Sequence, residues 1–157
     1  MSIPWIPLLT ALHVALVVLW IGGVCFVTII IFPMLLSMGD SLEKVLMFQR
    51  VESVFARQAR VYAWIVGPTG FLLLYLKGMH TKLFTSGAVG PSVMLIVWIF
   101  YTLVLTFEKK VFAYLFKDPK KFDATKIFAR LARGHWIIMG ASLAAVFIGV
   151  FAGHGGF

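Results

Sequence analysis

The sequence predicts an all-α integral membrane protein, a four-helix bundle running up-down-up-down with both termini on the outer side. Three observations carry that prediction. Four apolar runs stand out, at 3–38, 61–76, 89–107 and 136–153. Each supplies roughly 16–20 or more residues, close to what a helix needs to cross a hydrocarbon core ~30 Å thick. The 157 residues are 61% hydrophobic with mean hydropathy +0.98. That leaves length for one membrane domain and no soluble domain beside it. The charge is also one-sided. Of 14 basic residues, 12 lie in the first and third connections: Lys44, Arg50, Arg57 and Arg60, then Lys109, Lys110, Lys117, Lys120, Lys121, Lys126, Arg130 and Arg133. The second connection holds only Lys77 and Lys82. By the positive-inside rule the basic side is cytoplasmic, which predicts a multi-pass protein of a bacterial inner membrane.

Each element follows from its own residues. In lipid every backbone polar group must be paired internally, so the apolar runs read as helices. The spans are expected at roughly 5–37, 58–79, 90–110 and 135–154. The first run has no basic leading segment. It is also far longer than the ~7–15 apolar residues of a signal peptide, so it is expected to stay as a span. Pro33 should bend it near the cytoplasmic face. Asp40 or Ser41 can cap an amphipathic stretch, 41–57, with Arg50 and Arg57 (and Arg60 beyond it) on one face and Phe48, Val51 and Phe55 on another. Pro68 with Gly67 and Gly70 should kink the second span and open room between helices. Residues 78–91 form a glycine-rich loop, and Pro91 suits the first turn of the third helix. Residues 117–121 read as a turn. Asp123 can cap a surface helix, 122–134, in which Lys126, Arg130 and Arg133 oppose Ile127, Phe128 and Leu131 before the chain turns into span four.

Several function classes drop out. The single Cys25 excludes an internal disulfide and a CxxC motif. Basic residues confined to connections fit topology and anionic lipid and argue against nucleic acid. The apolar runs carry no Asp or Glu, which argues against a proton-coupled transporter.

The histidines are the chemical signal, because ionisable groups inside a membrane are expensive and mark function by default. Depth follows from taking the middle of each run as the midplane, with ~1.5 Å rise per residue. On that scale His13 lies roughly 10 Å, His80 roughly 15 Å and His154 roughly 13–16 Å toward the outer face. One layer of three imidazoles from three helices suggests a metal site, since neutral imidazole binds iron, copper and zinc and facing helices can hold a haem. The plainer alternative makes His80 and His154 solvated loop residues. His135 falls at the cytoplasmic end, beside Arg130 and Arg133, where a headgroup or helix-entry role is expected. Met79 is a candidate soft ligand, and Arg57, Arg60, Arg130 and Arg133 can hold haem propionates or lipid phosphate. Trp5, Trp64 and Trp136 read as interfacial anchors.

The opening span, LTALHVALVVLWIGGVCFVTIIIFP, carries Leu12-His13 followed by an apolar run and Trp20-Ile21-Gly22-Gly23. The entry to span two, QARVYAWIVGPTGFLLL, carries Arg60, Tyr62, Pro68 and Gly70. Together they resemble the CopD-like and HemJ-like four-helix membrane proteins over the first half of the chain. That resemblance implies haem b or copper at the membrane, with His13 as ligand, and, in the HemJ-like branch, oxidation of protoporphyrinogen. Helix three has no histidine, Phe32-Pro33 stands where the HemJ-like group tends to place an arginine, and the last helix begins GHWIIMG. These departures favour the CopD-like branch. The expected function is therefore a membrane b-type haem protein, an oxidoreductase passing electrons near the outer leaflet from quinol to a periplasmic carrier. Its alternatives are a copper-binding or copper-import protein, a protoporphyrinogen oxidase relative, and an accessory subunit of a larger membrane complex or homo-oligomer.

Overall fold

In a computed structural model, which describes residues 4–39, 42–115 and 124–155, the chain is all-helical and four of its helices are long and apolar enough to cross a membrane. The first span is built from α1 (Trp5–Phe26), a widened turn of π-helix (Val27–Ile31) and α2 (Phe32–Ser37). The widened turn ends just before Pro33. Proline has no N–H for the carbonyl of Ile29, and its ring crowds that carbonyl. The chain loosens there, and the Phe32 N–H reaches back to the Val27 carbonyl, one residue further than in an α-helix. The position where a bend is expected thus carries a widened helical turn.

The second span is one continuous helix, α3 (Leu42–Leu76), with the amphipathic stretch as its first turns. Small residues Ala56, Ala59, Ala63 and Gly67 lie buried along it. That stripe lets neighbouring helices approach closely, as small residues do in lipid, with the Trp98 indole of the third span against Gly67. The helix ends where Gly78 takes φ +64. There the Met79 N–H bonds the Leu74 carbonyl and the Gly78 N–H bonds that of Tyr75, the paired closure of a glycine-terminated helix. Two short 3₁₀ turns, His80–Lys82 and Ser86–Ala88, lead into α4 (Val89–Leu115). In that loop the Ser92 hydroxyl accepts from the Phe84 N–H at 2.8 Å and donates to the Ala88 carbonyl.

The last helix, α5 (Ala124–Gly153), departs from expectation. The surface helix and the span are one unbroken rod, with no turn between them. Gly134 alone does not break a helix. Phe128 and Ala132 are buried against the α2 end, with Phe128 edge-on to Phe48. Burying that face holds the basic segment upright in the bundle. The expected caps at Asp40, Ser41 and Asp123 and the turn at 117–121 lie outside the described residues.

The helices form a ring: α1 packs on α3, α3 on α4, α4 on α5 and α5 back on α1. One core cluster centres on Trp20, Val24, Ala59, Ala63 and Tyr101, and another, at the basic end, on Phe32, Leu35, Phe48 and Phe128. The outside is apolar, with Val18, Phe26, Ile137 and Phe147 exposed, as lipid-facing surface requires. Trp5, Trp64 and Trp136 all point outward as well. Lys44, counted above among the charges of the first connection, is fully buried. Its Nζ donates to the Met38 carbonyl at 3.3 Å and sits over the Phe128 ring.

Candidate functional site

Four helices enclose a cavity of about 360 Å³ at the end of the bundle where α3 stops. Its walls are mostly apolar. Its polar groups are few: Thr10, His13, Trp20, Lys77, Trp98, Ser142 and His154. A small apolar hollow with a few convergent polar groups is the usual form of a ligand site.

His13 reaches into it from α1. Gly70 of α3 makes the space: a Cβ there would stand 3.1 Å from the imidazole Cε1. Next to it, Gly67 is covered by the Trp98 indole, whose Nε1 donates to the Ala63 carbonyl at 2.9 Å. The imidazole Nδ1 lies 2.9 Å from the Thr69 hydroxyl oxygen. That hydroxyl has one hydrogen, and the carbonyls of Ile65, at 2.7 Å, and Val66, at 3.1 Å, are both within its reach. With the hydroxyl hydrogen on either carbonyl, Thr69 accepts and the His13 Nδ1–H donates. A neutral His13 is fixed in the tautomer whose Nε2 bears a lone pair. His154 has the same polarity, its Nδ1 lying 2.8 Å from the Val150 carbonyl, which can only accept.

At the deep end Trp20 is 3% exposed and its Nε1 has no hydrogen-bond partner, although Trp20 lines the cavity. Its ring meets Tyr101 edge-on at 4.8 Å. The Tyr101 hydroxyl is 2.9 Å from Ser142 Oγ, and Ser142 gives its own hydrogen to the Ile138 carbonyl, so Tyr101 donates.

The three histidines expected in one layer are not equivalent. His13 is level with Thr69 and Gly70. That is about two turns, roughly 10 Å, below the end of α3. Run midpoints misplace it because the first apolar helix is 33 residues long. A helix of that length overruns the hydrocarbon core, so its middle is not the midplane. His154 lines the cavity at its rim and is exposed. His80 is not among the lining residues; it is exposed with its ring against Tyr75, 5.3 Å between centroids. Among the described residues no group of three or more His, Cys, Asp or Glu gathers as a metal site. His135, expected at the headgroups, turns inward: its ring packs on Phe32 at 4.7 Å and its Nδ1 is buried without a partner. Arg60 pairs with Glu108 of α4 at 3.1 Å and, like Arg57, Arg130 and Arg133, lines no part of the cavity. Met79 does line it.

Sequence reasoning missed Thr69, Trp20 and the Tyr101–Ser142 pair. Thr69 had a signal: an aliphatic hydroxyl between Pro68 and Gly70 in an apolar span. Compared with protein-family models, curated proteins and solved structures, the chain matches none.

Proposed function

We propose that this multi-pass membrane protein is a b-type haem protein of the CopD-like kind, with His13 as iron ligand. The observation that carries the reading is the Thr69 hydroxyl 2.9 Å from Nδ1 of His13, a residue of the cavity wall: with Nδ1–H donating to that oxygen, Nε2 keeps its lone pair for a metal. Metal-ligating histidines are oriented in this way by a partner on their second nitrogen. Further support comes from Gly70, whose missing side chain gives the His13 imidazole its place on the cavity wall. The apolar walls suit a macrocycle.

His13 would hold the iron, with His154 on the same cavity as the candidate second ligand. Bound there, haem would supply one-electron redox chemistry. The chain's own part is to orient one imidazole, exclude water with aliphatic walls and stand in the bilayer where a quinol donor dissolves. The proposed location is a bacterial inner membrane with the cavity toward the outer leaflet and a periplasmic electron acceptor.

A copper reading has one observation in its favour. Met79 and Met94 line the same cavity as His13 and His154. Thioether with imidazole is a donor set for Cu(I). The purified protein decides. A Soret band with sharp reduced α-bands, lost in His13→Ala while the variant still inserts, supports haem. Stoichiometric copper with no Soret band supports the second reading. Neither metal nor colour in freshly isolated protein that also refuses added haemin refutes both and leaves an accessory subunit.

A further inference from the structure

Among the described residues one cationic side chain, Lys77, lines the cavity, and it stands at the rim. Lys77 follows the last residue of α3, its N–H bonded to the Leu73 carbonyl at 3.0 Å. The carbonyl end of a helix favours a cation. A second, shallower hollow on the flank of α1, between Ile6 and Ala15, shares Thr10, Val14 and Lys77 with the cavity. The two hollows therefore meet at Lys77, and the shared rim opens sideways between α1 and the end of α3. Exposed apolar residues, Ile6 and Val14 among them, border that opening. The charge is one-sided: the walls inside are mostly apolar with no charged side chain of Lys, Arg, Asp or Glu, and the ammonium group of Lys77 stands at the rim, where His154 also lies.

We propose that this rim is the headgroup end of the site. The ligand is an amphiphile with at least one carboxylate, which enters laterally from the leaflet and seats its acid on Lys77. The inference rests on the haem reading above and specifies it: the propionate edge of the porphyrin faces the rim and the vinyl edge faces inward. The arginines at the basic end have no part in it, since Arg60 is engaged by Glu108 and none of them lines the cavity. A lysine that merely reached for lipid phosphate, as lysines near helix ends do, would show no preference for an acidic ligand once lipid is gone.

The test compares haemin with its dimethyl ester, which keeps the macrocycle and iron but has no free acid. Both are titrated into the full chain in lipid-free neutral detergent and followed at the Soret band. Wild type should bind haemin roughly tenfold more tightly than the ester, the scale of one charge-assisted hydrogen bond at a partly exposed position. Lys77→Met should bring that ratio to about one, and Lys77→Arg should keep it. His13→Ala should weaken both compounds alike. Equal affinity of wild type for the two compounds, or a preference that survives Lys77→Met, overturns the role of Lys77 and leaves the haem reading standing. Failure of both compounds to bind wild type overturns the haem reading and this inference with it.

Discussion

Replacing Thr69 by valine removes a single acceptor and almost nothing else. Valine has nearly the shape of threonine, so the packing of α3 and the clearance over Gly70 are retained. The Ile65 carbonyl keeps its helical backbone partner, so losing the hydroxyl back-bond costs little. What is lost is the acceptor 2.9 Å from the His13 Nδ1–H. Stranding a buried donor costs about 1–3 kcal/mol. Losing the orienting partner of a metal-bound histidine typically costs about 10–100-fold in affinity, roughly 1.4–2.7 kcal/mol. The two figures agree, so haemin should bind Thr69→Val about 10–100-fold more weakly than wild type. Thr69→Ser keeps the hydroxyl and its back-bond. It should bind within about twofold of wild type, a difference below the ~0.5 kcal/mol typical of a minor substitution. Haemin titration in detergent measures the affinities. Nitrogen NMR of labelled histidine in the ligand-free protein reports the tautomer independently, with Nδ1 protonated in wild type and a mixture in Thr69→Val. Wild-type affinity in Thr69→Val, or a serine variant as weak as the valine variant, would refute the reasoning.

Three further outcomes are expected. Ser142→Ala should destabilise more than Tyr101→Phe, because Tyr101 donates and Ser142 accepts. The first strands a buried O–H at about 1–3 kcal/mol, the second removes the donor at about 0.5–1.5 kcal/mol, and thermal melts in detergent should rank them in that order. Gly90→Val should loosen the α4–α5 crossing, since a Cβ at Gly90 would stand 3.0 Å from the Gly149 Cα, where backbone cannot yield. A loss of about 1–3 kcal/mol is expected, and an unchanged melting temperature would mean the helices separate freely. A reporter fused after Phe157 should be active outside the cytoplasm, because 12 of 14 basic residues sit in the two connections at the other end. Cytoplasmic activity there would reverse the sidedness of the whole bundle.

The number of spans was legible in the chain, because apolar length against bilayer thickness is a one-dimensional comparison that needs no partner. His13 was legible for a similar reason: an imidazole inside such a run has a cost that local context alone reveals. Depth was not, since so long an apolar helix can slide against the core and only its contact with Thr69 fixes the level. The separation of His80 from the cavity depended on the glycine closure after Leu76, which turns the chain away toward Tyr75. His135 read as a headgroup residue from its basic neighbours, but a helix presents successive residues about 100° apart. Only the packing of α5 on Phe32 decides which of them faces inward. The direction of the His13 hydrogen bond was the most distant from sequence. It depends on where one hydroxyl hydrogen on α3 goes, and that is set by the carbonyls of Ile65 and Val66 in the turn beneath it, meeting a side chain 56 positions away.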